Sequence, residues 1–270
     1  MLKLYLKAIY KKDLILFKKY KLQMVLTYLS IFVYIFALFN FSKAVGYEDD
    51  SSNLFKSNPF LFLLTGYMTI DLTVTILNII ASQISFLQTA SIFEEIISID
   101  NPFFYMICTC AFPITLWFFR NAFYFLISIC FFNLDINSSF SWISLSIFTI
   151  FLISFILFLF GLALLAASFT ILFKRGNPVI IIGVALTTIF SGALYPVNVM
   201  PDYFLLLSNY IPTTHFLEIF RQFLANNLLD DVIVKNIILL IIGPFSLLLG
   251  YLIFYKSLNF SKKNGTTYTY

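Results

Sequence analysis

Three groups of residues in this sequence could do chemistry. Asp71 stands in "YMTIDLTVTILNII" and Arg120 in "PITLWFFRNAFYF", each an ionisable side chain inside an otherwise uncharged run. Such charges are costly in a bilayer and are candidates for a substrate path, a proton relay or a structural ion pair. Glu94 and Glu95 stand together in "QTASIFEEIISIDNP". His215, Glu218 and Arg221 fall close together in "TTHFLEIFR", and His215 is the chain's single histidine. These residue types can move protons, pair ions or seat a ligand. Which of these they do depends on what positions them.

Several chemistries are excluded by what is missing. With one His, no multi-histidine metal site can form within the chain, and no HExxH occurs. The Glu94-Glu95 pair is unlike the paired-glutamate sites of some intramembrane proteases, because Ile99 stands where such a motif needs Arg. No G-x-x-x-x-G-K-[ST] is present and the glycines never cluster, so the chain is not expected to bind and split ATP alone. Cys108, Cys110 and Cys130 all lie in apolar sequence and read as small buried hydrophobes without disulfide or metal spacing. A membrane enzyme would need a catalytic cluster at one depth, and only Asp71, Arg120 and scattered Ser and Thr are on offer.

The elements that carry these residues are membrane spans. The chain is 60% hydrophobic and 11% charged, against about a quarter charged in soluble domains. Runs of about 20 uncharged residues recur, each long enough to cross as a helix. Spans are expected over 22–42, 60–86, 103–130, within 136–173, and over 179–195 and 237–255. Residues 1–21 carry lysines on one stripe and Leu2, Ile9, Leu16 and Tyr20 on another, as an interfacial helix does. No signal-peptide cleavage site follows them. Asp71 lies roughly 16 Å below the start of span two, and Arg120 a similar distance below the end of span three. Their equal depth makes them a candidate pair; the alternative is that each faces its own water-filled crevice or snorkels. "GLALLAASF" sets Ala163 and Ala167 four apart beside Ala166, a candidate helix–helix seam.

Six spans put both termini on one side. That side collects the N-terminal lysines, Lys174, Arg175, Lys256, Lys262 and Lys263. The other side keeps only Lys43, Lys56, Arg221 and Lys235. The positive-inside rule makes both termini cytoplasmic, turns the 87–102 break inward and sets residues 196–224 outside. The Phe, Ile, Lys and Asn bias points to an AT-rich bacterial genome, hence a bacterial plasma (inner) membrane.

The passage "SGALYPVNVMPDYFLLLSNYIPTTHFLEIFR", residues 191–221, has an internal plan. Pro196 and Pro201 bracket "VNVM" and end span five. "DYFLLLSNY" is too short to cross but apolar enough to dip into the membrane. After Pro212 a helix resumes, with Thr213 or Thr214 as its cap. Phe216, Ile219, Phe220, Phe223 and Leu224 form one apolar face, with Glu218 and Arg221 spaced as a pair on the other. His215 reads as a polar interfacial residue rather than a ligand or relay. The result is an outer gate built from two short helices.

This passage resembles the signature region of the membrane subunits of type-2 ATP-binding-cassette (ABC-2) exporters. The matching positions are Ser191, Gly192, Tyr195, Pro196, Pro201, Pro212 and Arg221; "NPFLFLLTGYM", with Pro59 and Gly66, is similar to the family's entry into span two. The resemblance implies an all-α fold: a polytopic membrane protein with six transmembrane helices, an N-terminal interfacial helix and a re-entrant outer helical hairpin between spans five and six. The domains would be the interfacial helix 1–21, the transmembrane domain 22–258 and a cytoplasmic tail 259–270. It implies a coupling helix in 87–102, carried by Phe93, Glu94, Glu95, Asp100 and Pro102, although Ala90 or Ser91 replaces the usual glycine. It implies two separate ABC ATPase subunits holding the ATP and Mg, a homodimer or heterodimer of permeases in membrane lipid, no cofactor in this chain and no nucleic acid. The expected function is the permease of an exporter of an amphipathic substrate: a lipid-linked glycan, a lipid or a drug. The outer gate would comprise Gly192, Tyr195, Pro196, Pro201, Pro212, Phe216, Glu218 and Arg221. The alternatives are a membrane-embedded enzyme acting on lipid or peptide, or a carrier not coupled to ATP; the latter predicts inverted repeats, and none is visible.

Overall fold

The computed structural model describes residues 2–44, 59–89, 92–93, 102–132, 142–173, 177–224 and 236–264. Among these residues every regular element is a helix: α1 (Leu2–Lys19), α2 (Lys21–Ala44), α3 (Pro59–Thr89), α4 (Pro102–Phe132), α5 (Trp142–Phe173), α6 (Asn177–Phe190), a 3-10 turn (Val197–Val199), α7 (Asp202–Tyr210), α8 (Pro212–Leu224) and α9 (Ile238–Asn264). Five helices are long and apolar enough to cross a membrane, over Val25–Lys43, Pro59–Thr89, Tyr105–Cys130, Trp142–Phe173 and Ile238–Lys263.

The expected fifth span, 179–195, is not one continuous crossing helix. α6 has 14 residues, about 21 Å of rise, against about 30 Å of hydrocarbon. Pro196 is not what stops it. Gly192 adopts φ +73°, a left-handed value open to glycine and closed to most residues. The chain therefore leaves the helix after Phe190, before the proline is reached.

α3 and α5 form the centre. α5 packs chiefly on α9 and then on α3, and Leu72, Ile76, Phe155, Leu159, Ala163 and Ala167 are among the buried residues of the main core. A second core joins α2, the first turns of α3, α4 and the end of α8. The α5–α9 seam is closer than the alanines of "GLALLAASF" foretell. A Cβ added to Gly250 would lie 2.4 Å from the Gly161 carbonyl oxygen, and one added to Gly161 an equal 2.4 Å from Ser246. Seven residues earlier, Ser154 Oγ donates to the Leu239 carbonyl at 2.8 Å, and the Ser154 carbonyl lies against Gly243. Both sequences rise together along the seam, so α5 and α9 run parallel.

Apolar side chains are also exposed along whole helices. Leu22, Val25, Leu26, Leu29 and Val33 of α2 are all more than half exposed, which suits lipid rather than water as the surrounding medium. α1 is not among the candidate spans; Tyr10 and Phe17 pack edge-on against Phe112 of α4. Cys108 and Cys110 are buried as expected, but Cys130, near the end of α4, is exposed.

Candidate functional site

Asp71 and Arg120 meet. Arg120 Nη2 donates to Asp71 Oδ2 at 2.5 Å and to Thr75 Oγ1 at 3.1 Å. The side chains keep 26% and 16% of their surface exposed, Arg120 and Asp71 respectively. α3 and α4 are thus joined at mid-length by a charged contact, beside a tyrosine group. Tyr67, one turn before Asp71, accepts from Tyr124 at 3.3 Å and stacks on Tyr34 at 4.0 Å. Arg120 also lines a cavity of about 450 Å³, together with Asp13, Tyr20 and Gln83 among others. Burial lifts the Asp13 carboxyl above the usual carboxylate range, and Lys12 beside it pulls it part of the way back.

The 191–224 region is held by Arg221. Its guanidinium is buried and reaches away from α8 into the break after α6. Nη2 donates to the carbonyls of Gly192 (3.0 Å), Phe62 (3.3 Å) and Ala193 (3.4 Å), and Nε donates to Thr65 Oγ1 at 3.3 Å. The cation lies 3.4 Å from the Phe62 ring centroid. The Gly192 and Ala193 carbonyls lie in the irregular segment past the end of α6 at Phe190, and a planar fork of donors suits them together with the Phe62 carbonyl. Gly66 completes the crossing: a Cβ there would fall 1.9 Å from the Ala193 oxygen. The first turns of α3, the irregular segment 191–195 and α8 therefore meet at one point. Spacing gives Glu218 as a helical neighbour of Arg221, and its charge does act on Arg221. The partners that seat the guanidinium come from 29 and 159 residues earlier, beyond any local pattern.

The remaining residues of the passage build the frame. Tyr195 Oη donates to the Ile189 carbonyl at 2.6 Å, bracing the end of α6. Pro196 precedes the 3-10 turn, and Pro201 precedes α7, whose first turn carries Asp202, a favourable place for an anion. α8 starts at Pro212, not at a threonine cap. Proline at the first helical position needs no backbone donor, so Thr213 is buried with its hydroxyl unpartnered and Thr214 faces Ser208. The apolar face of α8 docks on α5: Phe216 stacks on Phe155 at 4.3 Å and Phe223 on Phe148 at 4.6 Å.

His215 is a buried bridge, not an interfacial tip. Nδ1 lies 2.5 Å from Asn236 Oδ1 and Nε2 lies 2.8 Å from the Asn209 carbonyl. Asn236 Nδ2 donates to Glu218 Oε2 at 3.4 Å. The end of α7, α8 and Asn236, two residues before α9, are joined through these groups. Asn236, Thr65 and Phe62 are contact partners that sequence reading misses; each is an ordinary residue brought to these side chains by a distant contact.

Of the expected coupling residues, Phe93 is buried in the main core and Pro102 opens α4. Glu94, Glu95 and Asp100 lie outside the described residues. No group of three His, Cys, Asp or Glu capable of holding a metal occurs among the described residues.

A bundle of long apolar helices, tied by one intramembrane ion pair and one buried arginine at a broken helix, defines a multi-pass membrane protein. A family model for the ABC-2 type transporter matches residues 5–225, and the chain belongs to that family as a membrane subunit. Such a subunit transports and does not catalyse, and the family implies association with ABC ATPase partners. Comparison with curated proteins gives no match.

Proposed function

We propose that this chain is the permease of an ABC exporter in which two separate ATPase subunits bind ATP and Mg and drive two permeases, as a homodimer or with a homologue, between inward-open and outward-open states. The cargo is an amphipathic molecule: a lipid-linked glycan, a lipid or a drug. The membrane is the bacterial inner membrane, with both termini cytoplasmic. The parallel course of α5 and α9 supports this topology, because the chain between them must return across the bilayer. α6 with the 191–211 segment is what returns it, and Tyr203, Leu206, Leu207 and Tyr210 of α7 stand exposed as residues dipping into an outer leaflet would.

One observation carries the mechanism. α3 is a single helix of 31 residues, about 46 Å long. Phe62, Thr65 and Gly66 at one end hold Arg221 and Ala193. Thr89 at the other end enters the 87–102 loop, which leads directly into α4 at Pro102. A push by the ATPase on that loop moves α3 as a strut, with α4 locked to it by Asp71 and Arg120. Phe93, turned into the core, anchors the loop to the bundle; Glu94, Glu95 and Asp100 offer the polar contacts to the ATPase. At the far end the strut shifts the Arg221 crossing, and the 196–224 region opens as the outer gate. Gly192, Tyr195, Pro196, Pro201 and Pro212 set its hinges. Phe216 docks its moving helix, and Glu218 ties that helix to Asn236.

Co-purification with an ABC ATPase and nucleotide-dependent transport in proteoliposomes test the reading. Full activity without any nucleotide-binding partner would overturn it in favour of an ATP-independent carrier.

A further inference from the structure

A cavity of about 450 Å³ lies between the Val197–Val199 turn, α7 and α8, within the size range of ligand sites. Exposed Asn198 and Asn209 stand at its rim, and Ser191, Phe62 and Arg221 are buried at its base. The lining has a particular chemistry. Ser191 is 1% exposed and its hydroxyl has no partner in the protein, although buried hydroxyls are nearly always bonded. His215, Glu218 and Gln222 line the same space. Carboxamide and carboxylate groups take one or both members of a pair of adjacent hydroxyls. Net charge is balanced: Arg221 is cationic and Glu218 is its anionic neighbour, with Nη2 of Arg221 held by backbone carbonyls and Nε by the Thr65 hydroxyl. With one charge of each sign in the lining, an anion would be opposed by Glu218 and a cation by Arg221, so a neutral ligand suits it best.

We propose that this cavity binds a neutral sugar residue, with Ser191 and the rim carboxamides meeting its hydroxyls. The proposal deepens the permease reading and rests on it, since a sugar seated in the gate would be the head of the cargo or a ligand that holds the gate. The two sources, a free sugar and a lipid-linked one, share this chemistry.

The test is saturation-transfer NMR on the full chain with its ATPase in nanodiscs free of glycoside detergents. The probes are methyl β-glucopyranoside and methyl β-N-acetylglucosaminide for the free sugar, and octyl β-glucopyranoside for the lipid-linked form. Transfer to the sugar-ring protons is expected, falling at least fivefold in Asn198→Trp, which fills the mouth from an exposed position, and falling in Ser191→Ala. A signal confined to the octyl glycoside and lost in Asn198→Trp assigns the lipid-linked source; a signal from the methyl glycosides as well assigns the sugar alone. Absence of signal from every glycoside, or a signal untouched by Asn198→Trp, overturns the proposal. ATP hydrolysis is measured on the same sample. Missing sugar transfer with intact nucleotide coupling sinks only the sugar site, whereas loss of coupling in the unmodified complex sinks the permease reading.

Discussion

Arg221, in the last turn of α8, donates to the carbonyl of Gly192, the residue at which the chain turns away from α6. A helix end and a helix break are thus bound by one side chain, on the first turns of a third helix. Replacing Arg221 with Gln should leave buried carbonyls unsatisfied and lower stability by about 3 kcal/mol. Arg221→Lys should recover only part, because an ammonium has no planar fork. Thermal unfolding in nanodiscs checks the order: wild type above Lys above Gln. Equal stability of all three would contradict the assigned contacts.

The contact of Gly66 with Ala193 gives a second prediction. Gly66→Ala forces α3 and the broken segment apart and should destabilise by about 1–3 kcal/mol. Gly183→Ala is the control, since a Cβ there meets only Leu77 Cδ1 at 3.7 Å. Differential scanning fluorimetry should separate the two; matched midpoints would count against the close crossing.

For the ion pair, single reversals Asp71→Arg and Arg120→Asp should each reduce folded yield. Each loss should be smaller than the about 3–5 kcal/mol of a fully buried pair, because about a quarter of Arg120 is exposed. The double reversal should recover most of the loss. No rescue in the double variant would mean that the groups act separately.

Asp13 yields a pH test. Burial raises its carboxyl above the ordinary value, so the folded chain holds the proton more tightly than the unfolded one. Ionised Asp13 therefore opposes folding at neutral pH, and the opposition fades as pH falls through the raised folded value. Asp13→Asn should raise the unfolding midpoint at pH 7, with the gain disappearing below about pH 4. A gain independent of pH would point to packing instead.

Much of this was legible beforehand, for identifiable reasons. Charged residues in apolar runs have few places to go, and the helical rise alone sets Asp71 and Arg120 at one depth. The apolar face of α8 follows from its spacing, and the structure stacks it on α5. The end of α6 was misplaced because proline is a visible stop while Gly192 acts earlier through its backbone. The threonine cap was misplaced because Pro212 already supplies a helix start. The seats of Arg221 and His215 were out of reach, since they are backbone carbonyls and an asparagine brought in by tertiary packing. Glu94, Glu95 and Asp100 fall outside the described residues.

The central claim is that nucleotide acts at the 87–102 loop and is felt, through α3, at the Arg221 crossing. The direct measurement is the labelling rate, from outside, of a single cysteine at exposed Asn198 in a chain with Cys108, Cys110 and Cys130 replaced. With the ATPase present, trapping the ATP-bound state should change that rate severalfold. Arg221→Gln should uncouple the change while ATP is still hydrolysed. A rate indifferent to nucleotide, or one that shifts equally without the ATPase, would contradict the account.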